Sequence, residues 1–253
     1  MLSGSVWKLI LLQKKMLPIE TELPKGQVMI THVSLDPNTE DWKSHLSCLS
    51  IDEQKKVLQF HYEGDKLRFA KCRSVLRKII GLWLNKPYSS LMFKFGKHGK
   101  PHLDHHTDIH FNISHTQGHA VLAFARDHEI GIDIENTQRD TDIDNVAQKV
   151  FTKKEQEMLF QMDGENRKNL FFRLWTAKES FLKATGRGLT LNPQEIEAIL
   201  PKYPTSNGTF LCNNMKDSEL FFSIELTCQK PYTATLCAPS YLLSSPPLIT
   251  NKI

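Results

Sequence analysis

The feature that most limits the fold is an order of strands and helices that occurs twice along the chain. In each half a strand precedes a helical region that opens at a capping box, and several short strands follow. In the first half the strand spans residues 28–35, the capping box joins Ser50 to Glu53, the long helix spans residues 66–84, and strands span residues 91–95, 109–113 and 120–125. In the second half the strand spans residues 130–135, the capping box joins Thr152 to Glu155, a helix closed by Gly186 spans residues 169–185, and antiparallel strands lie within residues 208–238. This order predicts an α+β fold of two similar α/β halves in one chain, residues 1–127 and residues 128–253.

The charge of the chain is unevenly distributed, although its net value of +4 is too small to indicate nucleic-acid binding. Residues 53–101 contain 12 Lys or Arg and three acids, whereas residues 127–144 contain seven acids and one Arg. A basic surface that faces an acidic cluster suits an anionic ligand held partly by a cation. Two solvated helix faces would give the same pattern, so charge alone leaves both interpretations open.

The cysteines and the N-terminal segment favour a cytoplasmic protein. Five cysteines at wide spacings, without a Cys-x-x-Cys pair, argue against a disulfide framework and against a zinc site. The apolar stretch at residues 9–12 is short and lacks a following cleavage site, so residues 1–18 are interpreted as neither signal peptide nor membrane span. At the other end, residues 244–253 read as a loose tail.

Two acids share one face of the strand predicted at residues 130–135. Side chains alternate along a strand, so Asp133 and Glu135 point the same way, opposite to the isoleucines that would anchor the strand in a core. Two such acids repel each other and need a cation or a shared proton. Oxygen ligands without a nearby cysteine favour Mg²⁺ or Mn²⁺. The alternative is an edge strand with an acidic face toward solvent.

A second charged pair lies on the helix predicted at residues 169–185. Glu179 and Lys183 are four residues apart and therefore one turn above each other. On an exposed helix they would form a weak surface ion pair. This helix is apolar on most sides, however, and a buried Glu and Lys need partners, which makes a ligand or a metal plausible.

Two further segments are candidates for ligand contacts. Asn112, Ser114 and His115 end a predicted strand, a common position for residues that contact ligands. The His and Asp residues between positions 102 and 110 suggest zinc at first sight. Their spacing matches no standard zinc site, and loops rich in His are usually solvated.

Five blocks carry a more specific signal when they are taken together. Two are Gly131-Ile132-Asp133-Ile134-Glu135 and Trp175-Thr176-Ala177-Lys178-Glu179-Ser180-Phe181-Leu182-Lys183. The others are Asp65-x-x-Arg68-Phe69-x-x-x-Arg73, Gly99-Lys100-Pro101 and Phe111-Asn112-Ile113-Ser114-His115. In their order along the chain, these blocks resemble the 4′-phosphopantetheinyl transferases of the surfactin-synthetase-activating (Sfp-like) type. The first sixty residues and those after Pro193 carry no motif of that family.

The resemblance implies a pseudo-dimer of two halves with the active site at their interface. Such an enzyme transfers 4′-phosphopantetheine from coenzyme A, its co-substrate, to a carrier-protein serine, releases 3′,5′-adenosine bisphosphate and depends on Mg²⁺. The implied metal ligands are Asp133, Glu135 and Glu179. The implied coenzyme contacts are Arg73, Lys100, Ser114, His115 and Lys183. Glu179, as the base, and Lys183, on a phosphate, are the implied catalytic residues.

The resemblance also implies an acidic acyl or peptidyl carrier protein as the partner of a monomer that binds neither nucleic acid nor membrane. It leaves open which carrier and pathway are served. A metal-dependent nuclease is a competing class, but such sites usually place Glu and Lys two apart on a strand. A non-catalytic module that binds coenzyme A is another, but it should lack a metal ligand or the lysine, and none is missing here.

Overall fold

The computed structural model describes residues 22–36, 38, 40–105, 108–199, 209–213, 221–244 and 247–250, so the predicted features of residues 1–18 lie outside it. The helices are α1 (Ile51–Gln59), α2 (Glu63–Leu84), α3 (Ile143–Val150), α4 (Lys153–Phe160) and α5 (Gly164–Thr185). The strands are β1 (Met29–Ser34), β2 (Phe93–Phe95), β3 (Pro101–Leu103), β4 (Ile109–Thr116), β5 (His119–Arg126), β6 (Gly131–Asn136), β7 (Glu197–Ile199), β8 (Thr209–Asn213), β9 (Phe221–Leu226), β10 (Tyr232–Pro239) and β11 (Leu248–Thr250). None of the helices in these ranges is both long and apolar enough to cross a membrane.

Two sheets and a hairpin organise the strands. The first sheet has the order β11-β1-β5-β4, the second has the order β6-β10-β9-β8-β7, and β2 pairs with β3. Neighbouring strands are antiparallel except β11, which runs parallel to β1. Helices combined with mainly antiparallel sheets confirm the predicted α+β class.

The C-terminal segment corrects one prediction. Residues 244–253 read as a loose tail, but Leu248–Thr250 forms β11 at the edge of the first sheet. The Leu248 backbone N–H donates to the Val28 carbonyl at 2.8 Å. Such a pairing joins opposite ends of the chain, so no local sequence pattern predicts it. Helix α3 was not predicted either, and part of the segment predicted as strands at residues 208–238 lies outside the described residues.

The two long helices are built alike. Helices α2 and α5 have 22 residues each, and both end at a residue in the left-handed conformation, Asn85 (φ 50°) and Gly186 (φ 63°). Both predicted capping boxes are present, at Ser50 and at Thr152. In each case the capping glutamate also pairs with a buried cation of the long helix. Glu53 Oε2 lies 2.6 Å from Arg77 Nε, and Glu155 Oε2 lies 2.6 Å from Lys178 Nζ.

The two sheets meet at their edge strands β4 and β6, through side chains. Alternate side chains of β4 accept hydrogen bonds from alternate backbone N–H groups of β6. The pairs are Asn112 Oδ1 with Ile132 N (2.8 Å), Ser114 Oγ with Ile134 N (3.3 Å) and Thr116 Oγ1 with Asn136 N (3.1 Å). Behind this junction lies one apolar core to which both halves contribute, with Ile30 and Val121 from the first sheet and Ile132 and Leu236 from the second.

We expect Lys178→Met to lower the free energy of unfolding by about 3–5 kcal/mol, because it leaves Glu155 as a buried charge without its cation. Both side chains of this pair are 1% exposed. Urea unfolding followed by circular dichroism measures the change. Lys154→Met is the control, because Lys154 pairs with Glu197 on the surface. If both substitutions had an equally small effect, the buried pair of Lys178 and Glu155 would not stabilise the fold as expected.

Candidate functional site

Three of the predicted site residues are in direct contact at the junction of β4 and β6. The Ser114 hydroxyl donates to Asp133 Oδ1 at 2.8 Å. The Lys183 ammonium, on α5, donates to Asp133 Oδ1 at 2.7 Å and to Ser114 Oγ at 3.0 Å. Asp133 is 4% exposed. A carboxylate buried to this extent needs a cation, and Lys183 supplies the positive charge in this structure.

Gly131 allows the helix and the strand to approach each other. A Cβ built on Gly131 would lie 1.9 Å from the Ser180 carbonyl oxygen and 2.4 Å from the Ala184 backbone nitrogen. Only a residue without a side chain fits at that separation. The glycine of the Gly-Ile-Asp block therefore lets α5 bring Lys183 to Asp133.

Glu135 is the next acid on the same face of β6. The Trp175 indole N–H donates to its Oε1 at 3.1 Å, and the Thr116 hydroxyl donates to its Oε2 at 3.3 Å. Arg139 lies 3.3 Å from Oε1. Burial raises the pKa of Glu135, and the charge of Asp133 raises it further, although the charge of Arg139 and the hydrogen bond from Thr116 oppose the rise.

Glu179 lies one turn before Lys183 on α5. Burial raises the pKa of its carboxyl group, the charge of Asp133 raises it further, and Lys183 opposes the rise. Glu179 lies one turn from Lys183, which contacts Asp133, and Glu135 lies two residues from Asp133 on β6, so the three predicted metal ligands lie in one region. Such mutual repulsion is relieved by protonation or by a bound cation.

The donor chemistry of these acids fits a hard divalent ion. Asp133 Oδ2 is buried and has no hydrogen-bond partner, so it is available as a ligand. Within the described part of the chain, no group of three or more acidic, His or Cys side chains is already gathered closely enough to hold an ion. The predicted set of Asp133, Glu135 and Glu179 is therefore brought close together but is not preassembled.

His115 lies next to these groups and is exposed near the end of β4. Desolvation by the surrounding protein lowers its pKa, and the positive charges of Arg68 and Lys183 lower it further. Arg68 is therefore close enough to His115 to act on it, although it is also paired with Asp65 at 2.7 Å. The positive charges of Arg68 and Lys183 thus both act on the surroundings of His115, which suits an anion there.

Arg73 and Lys100 have other partners. Arg73 packs among the rings of Phe69, Phe93 and Phe95, and its Nε lies 3.8 Å from Glu53. Lys100 pairs with Glu129 at 2.5 Å. Neither is hydrogen-bonded to Ser114, Asp133 or Lys183, so the structure does not join these two predicted coenzyme contacts to the others.

Sequence reasoning missed several side chains that support the site. Trp175, Thr116 and Arg139 hold Glu135, and Asn112 fixes the backbone of β6 beside Asp133. The alternation of polar side chains at Asn112, Ser114 and Thr116 was a usable signal. It marks one face of β4 as polar although the strand is buried.

Comparison with known proteins identifies relatives of both halves. Residues 129–237 match the model of the 4′-phosphopantetheinyl transferase superfamily, and residues 34–127 match that of the 4′-phosphopantetheinyl transferase N-terminal region. The 4′-phosphopantetheinyl transferase HetI of Nostoc sp. is 32% identical over 191 residues, which cover 74% of this chain and 80% of that protein.

More distant matches cover less of each protein. The 4′-phosphopantetheinyl transferase Sfp of Bacillus subtilis is 32% identical, over 60% of this chain and 66% of that protein. The human L-aminoadipate-semialdehyde dehydrogenase-phosphopantetheinyl transferase is 29% identical, over 64% of this chain and 56% of that protein. Among solved structures, the holo-[acyl-carrier-protein] synthase of Thermotoga maritima matches 44% of this chain and 62% of that chain with 18% identity. Its TM-score of 0.34 is too low to support an argument.

We expect Glu179→Gln to raise the melting temperature of the metal-free protein by a few degrees at pH 7. The pKa of Glu179 is raised on folding, so the stability of the native state falls as the pH rises from the unfolded pKa through the folded one. The gain should disappear near about pH 3, where the carboxyl is protonated in both states.

Calorimetry in a chelating buffer at both pH values checks this expectation. The matched control is Glu157→Gln on the exposed face of α4, which should leave the melting temperature unchanged. A lower melting temperature for Glu179→Gln at pH 7 would show that Glu179 stabilises the metal-free fold.

Proposed function

Because the chain belongs to the family of 4′-phosphopantetheinyl transferases, we propose that it transfers 4′-phosphopantetheine from coenzyme A to a serine hydroxyl of an acyl or peptidyl carrier protein. The other product is 3′,5′-adenosine bisphosphate. The observation that carries the proposal is the contact of Asp133 with Ser114 and Lys183. It joins an acid suited to a divalent ion with groups suited to a phosphate.

The two halves act together as a pseudo-dimer, with the active site at the junction of β4 and β6. The similar construction of α2 and α5 supports this proposal, and so does the division of the chain between two family models. Ser114 and His115 come from residues 1–127, whereas the acids and Lys183 come from residues 128–253.

Asp133, Glu135 and Glu179 are the residues that would hold Mg²⁺, or Mn²⁺ in its place. The ion supplies positive charge that binds the pyrophosphate of coenzyme A and stabilises the negative charge that develops during transfer. Asp133 is the central ligand of the set, because its Oδ2 is buried and has no other partner.

The end of β4, beside Lys183, is the proposed site for the coenzyme phosphates. Lys183, Ser114 and His115 offer an ammonium, a hydroxyl and an imidazole beside the acids. Lys183 would stabilise the charge on the oxygen of the leaving phosphate. Arg73 and Lys100 stay predictions as coenzyme contacts, because each is paired with a glutamate.

Glu179 is the proposed general base. The carrier serine attacks the β-phosphorus of coenzyme A, the bond from that phosphorus to the bridging oxygen breaks, and adenosine bisphosphate leaves with the bonding electrons. Glu179 accepts the proton of the serine hydroxyl. The carboxylate would act in its ionised form, which a divalent ion beside it favours.

We expect the protein to add the mass of one phosphopantetheine to an apo-carrier when coenzyme A and Mg²⁺ are present. Asp133→Asn and Glu179→Gln should each slow this transfer by at least about a hundredfold, because each removes a carboxylate from the site. Intact-protein mass spectrometry over time measures the rate for a panel of apo-carriers. Glu157→Gln is the control and should match the wild type. If the wild type modifies none of the carriers, the proposed function is wrong.

The partner is proposed to be an acidic carrier guided by the exposed Lys55 and Lys56 of α1. Attraction between exposed charges weakens with salt, since the Debye length falls from about 10 Å at 0.1 M to about 3 Å at 1 M. Lys66, in the same basic segment, pairs with Glu63 at 2.6 Å, so it is not included in this proposal.

We expect higher salt to raise the KM for the carrier more than the KM for coenzyme A. The double charge reversal Lys55→Glu, Lys56→Glu should raise the KM for the carrier and leave the KM for coenzyme A unchanged. Steady-state kinetics at several salt concentrations measures both constants. The KM for coenzyme A is the internal control. A carrier KM that responds neither to salt nor to the reversal would rule out guidance by these lysines.

A further inference from the structure

Lys100 lies in the turn between β2 and β3, yet its ammonium reaches into the second half of the molecule. It donates to Glu129 Oε2 at 2.5 Å, to the Ile130 carbonyl at 2.9 Å and to the Ala184 carbonyl at 3.4 Å. An ammonium has three protons, so these three acceptors satisfy it. The Lys100 side chain is only 15% exposed.

The two carbonyls belong to the elements that carry the site. Ile130 directly precedes β6, which holds Asp133, and Ala184 directly follows Lys183 in the last turn of α5. The final carbonyls of a helix have no partner within the helix and carry partial negative charge. Lys100 therefore caps the C-terminus of α5 with a positive charge and connects it to the start of β6.

The ammonium is itself held in place from the first sheet. His110 of β4 lies 3.1 Å from Glu129 Oε1, on the side of the carboxylate opposite to Lys100. Although burial acts to raise it, the hydrogen bond from His110 and the charge of Lys100 lower the pKa of Glu129 to about 2. The carboxylate is thus charged at neutral pH, and His110, Glu129 and Lys100 form a continuous brace from β4 to the end of α5.

We infer that Lys100 is a positioning residue for the proposed reaction, which fixes the last turn of α5 against the start of β6 and so holds Lys183 at Asp133. The inference rests on the proposed function. It differs from the coenzyme contact that the resemblance implies, because a phosphate could bind this ammonium only by displacing at least one of its three acceptors. Its effect on transfer passes through Lys183.

Two substitutions break the brace at different points. Lys100→Met removes the ammonium, whereas Glu129→Gln keeps Lys100 and removes the charge that holds it. If Lys100 positions α5, each should lower kcat at least about tenfold and change the KM for coenzyme A less than about threefold, since a small displacement of a catalytic group is costly. The double variant should be no slower than the slower single variant, because both act on one network.

The matched control is Lys94→Met, in the same hairpin, where Lys94 pairs with Asp104 and its side chain is 64% exposed. Its kcat and KM should equal those of the wild type. Hydrogen–deuterium exchange of a peptide from the end of α5 gives a second measurement without catalysis. Exchange there should be faster in Lys100→Met and in Glu129→Gln than in the wild type and the control.

The inference would be overturned if the substitutions changed the KM for coenzyme A rather than kcat. If Lys100 binds the coenzyme directly, Lys100→Met will raise the KM for coenzyme A about tenfold or more and leave kcat unchanged. Glu129→Gln, which releases the ammonium, will then not slow transfer. If Lys100→Met does not fold, Glu129→Gln still decides between the two outcomes. A wild-type protein without transferase activity would refute the proposed function instead, and unchanged exchange at α5 would then refute the brace.

Discussion

The edge strand β6 pairs with β10 on one side and presents alternate backbone N–H groups to the side chains of β4 on the other. An edge strand with unpaired N–H groups would be costly to bury, so these side-chain acceptors are required wherever the two sheets meet. The acceptors come at alternate residues because side chains alternate along β4. One of them is the Ser114 hydroxyl, which also bonds to Asp133. The same contact thus joins the halves and begins the site.

The Ser114 hydroxyl has three protein partners and connects the charged groups of the site. Ser114 Oγ accepts from Lys183 and from the Ile134 backbone, and it donates to Asp133. Lys183 therefore stabilises the charge of Asp133 directly, and it also donates to the hydroxyl that donates to Asp133. In the proposed function Asp133 would hold a divalent ion, and Lys183 would then be available to a phosphate.

Local patterns predicted the elements of the site better than its contacts. The alternation at residues 130–135 and the apolar helix that ends at Gly186 correctly gave the strand and helix that carry Asp133, Glu179 and Lys183. The contact of Ser114 with Asp133 depends on two sheet edges meeting, and that of Lys100 with Ala184 joins residues far apart in sequence. No periodicity encodes such pairs. The prediction of a loose tail at residues 244–253 was wrong for the same reason, because β11 forms by pairing with β1.

The likeness of α2 and α5 shows why only one of the two helices carries these charges. Arg77 and Lys178 occupy the same position counted from the start of their helices, and each is buried against a capping glutamate. By the same count, Glu179 corresponds to Lys78 and Lys183 corresponds to Leu82, both exposed in the structure. The buried ion pair is thus a shared requirement of the architecture, whereas the next residue along is free to differ. In α5 that residue is Glu179, one turn before the lysine that contacts Asp133. In α2 it faces solvent, where a lysine costs nothing.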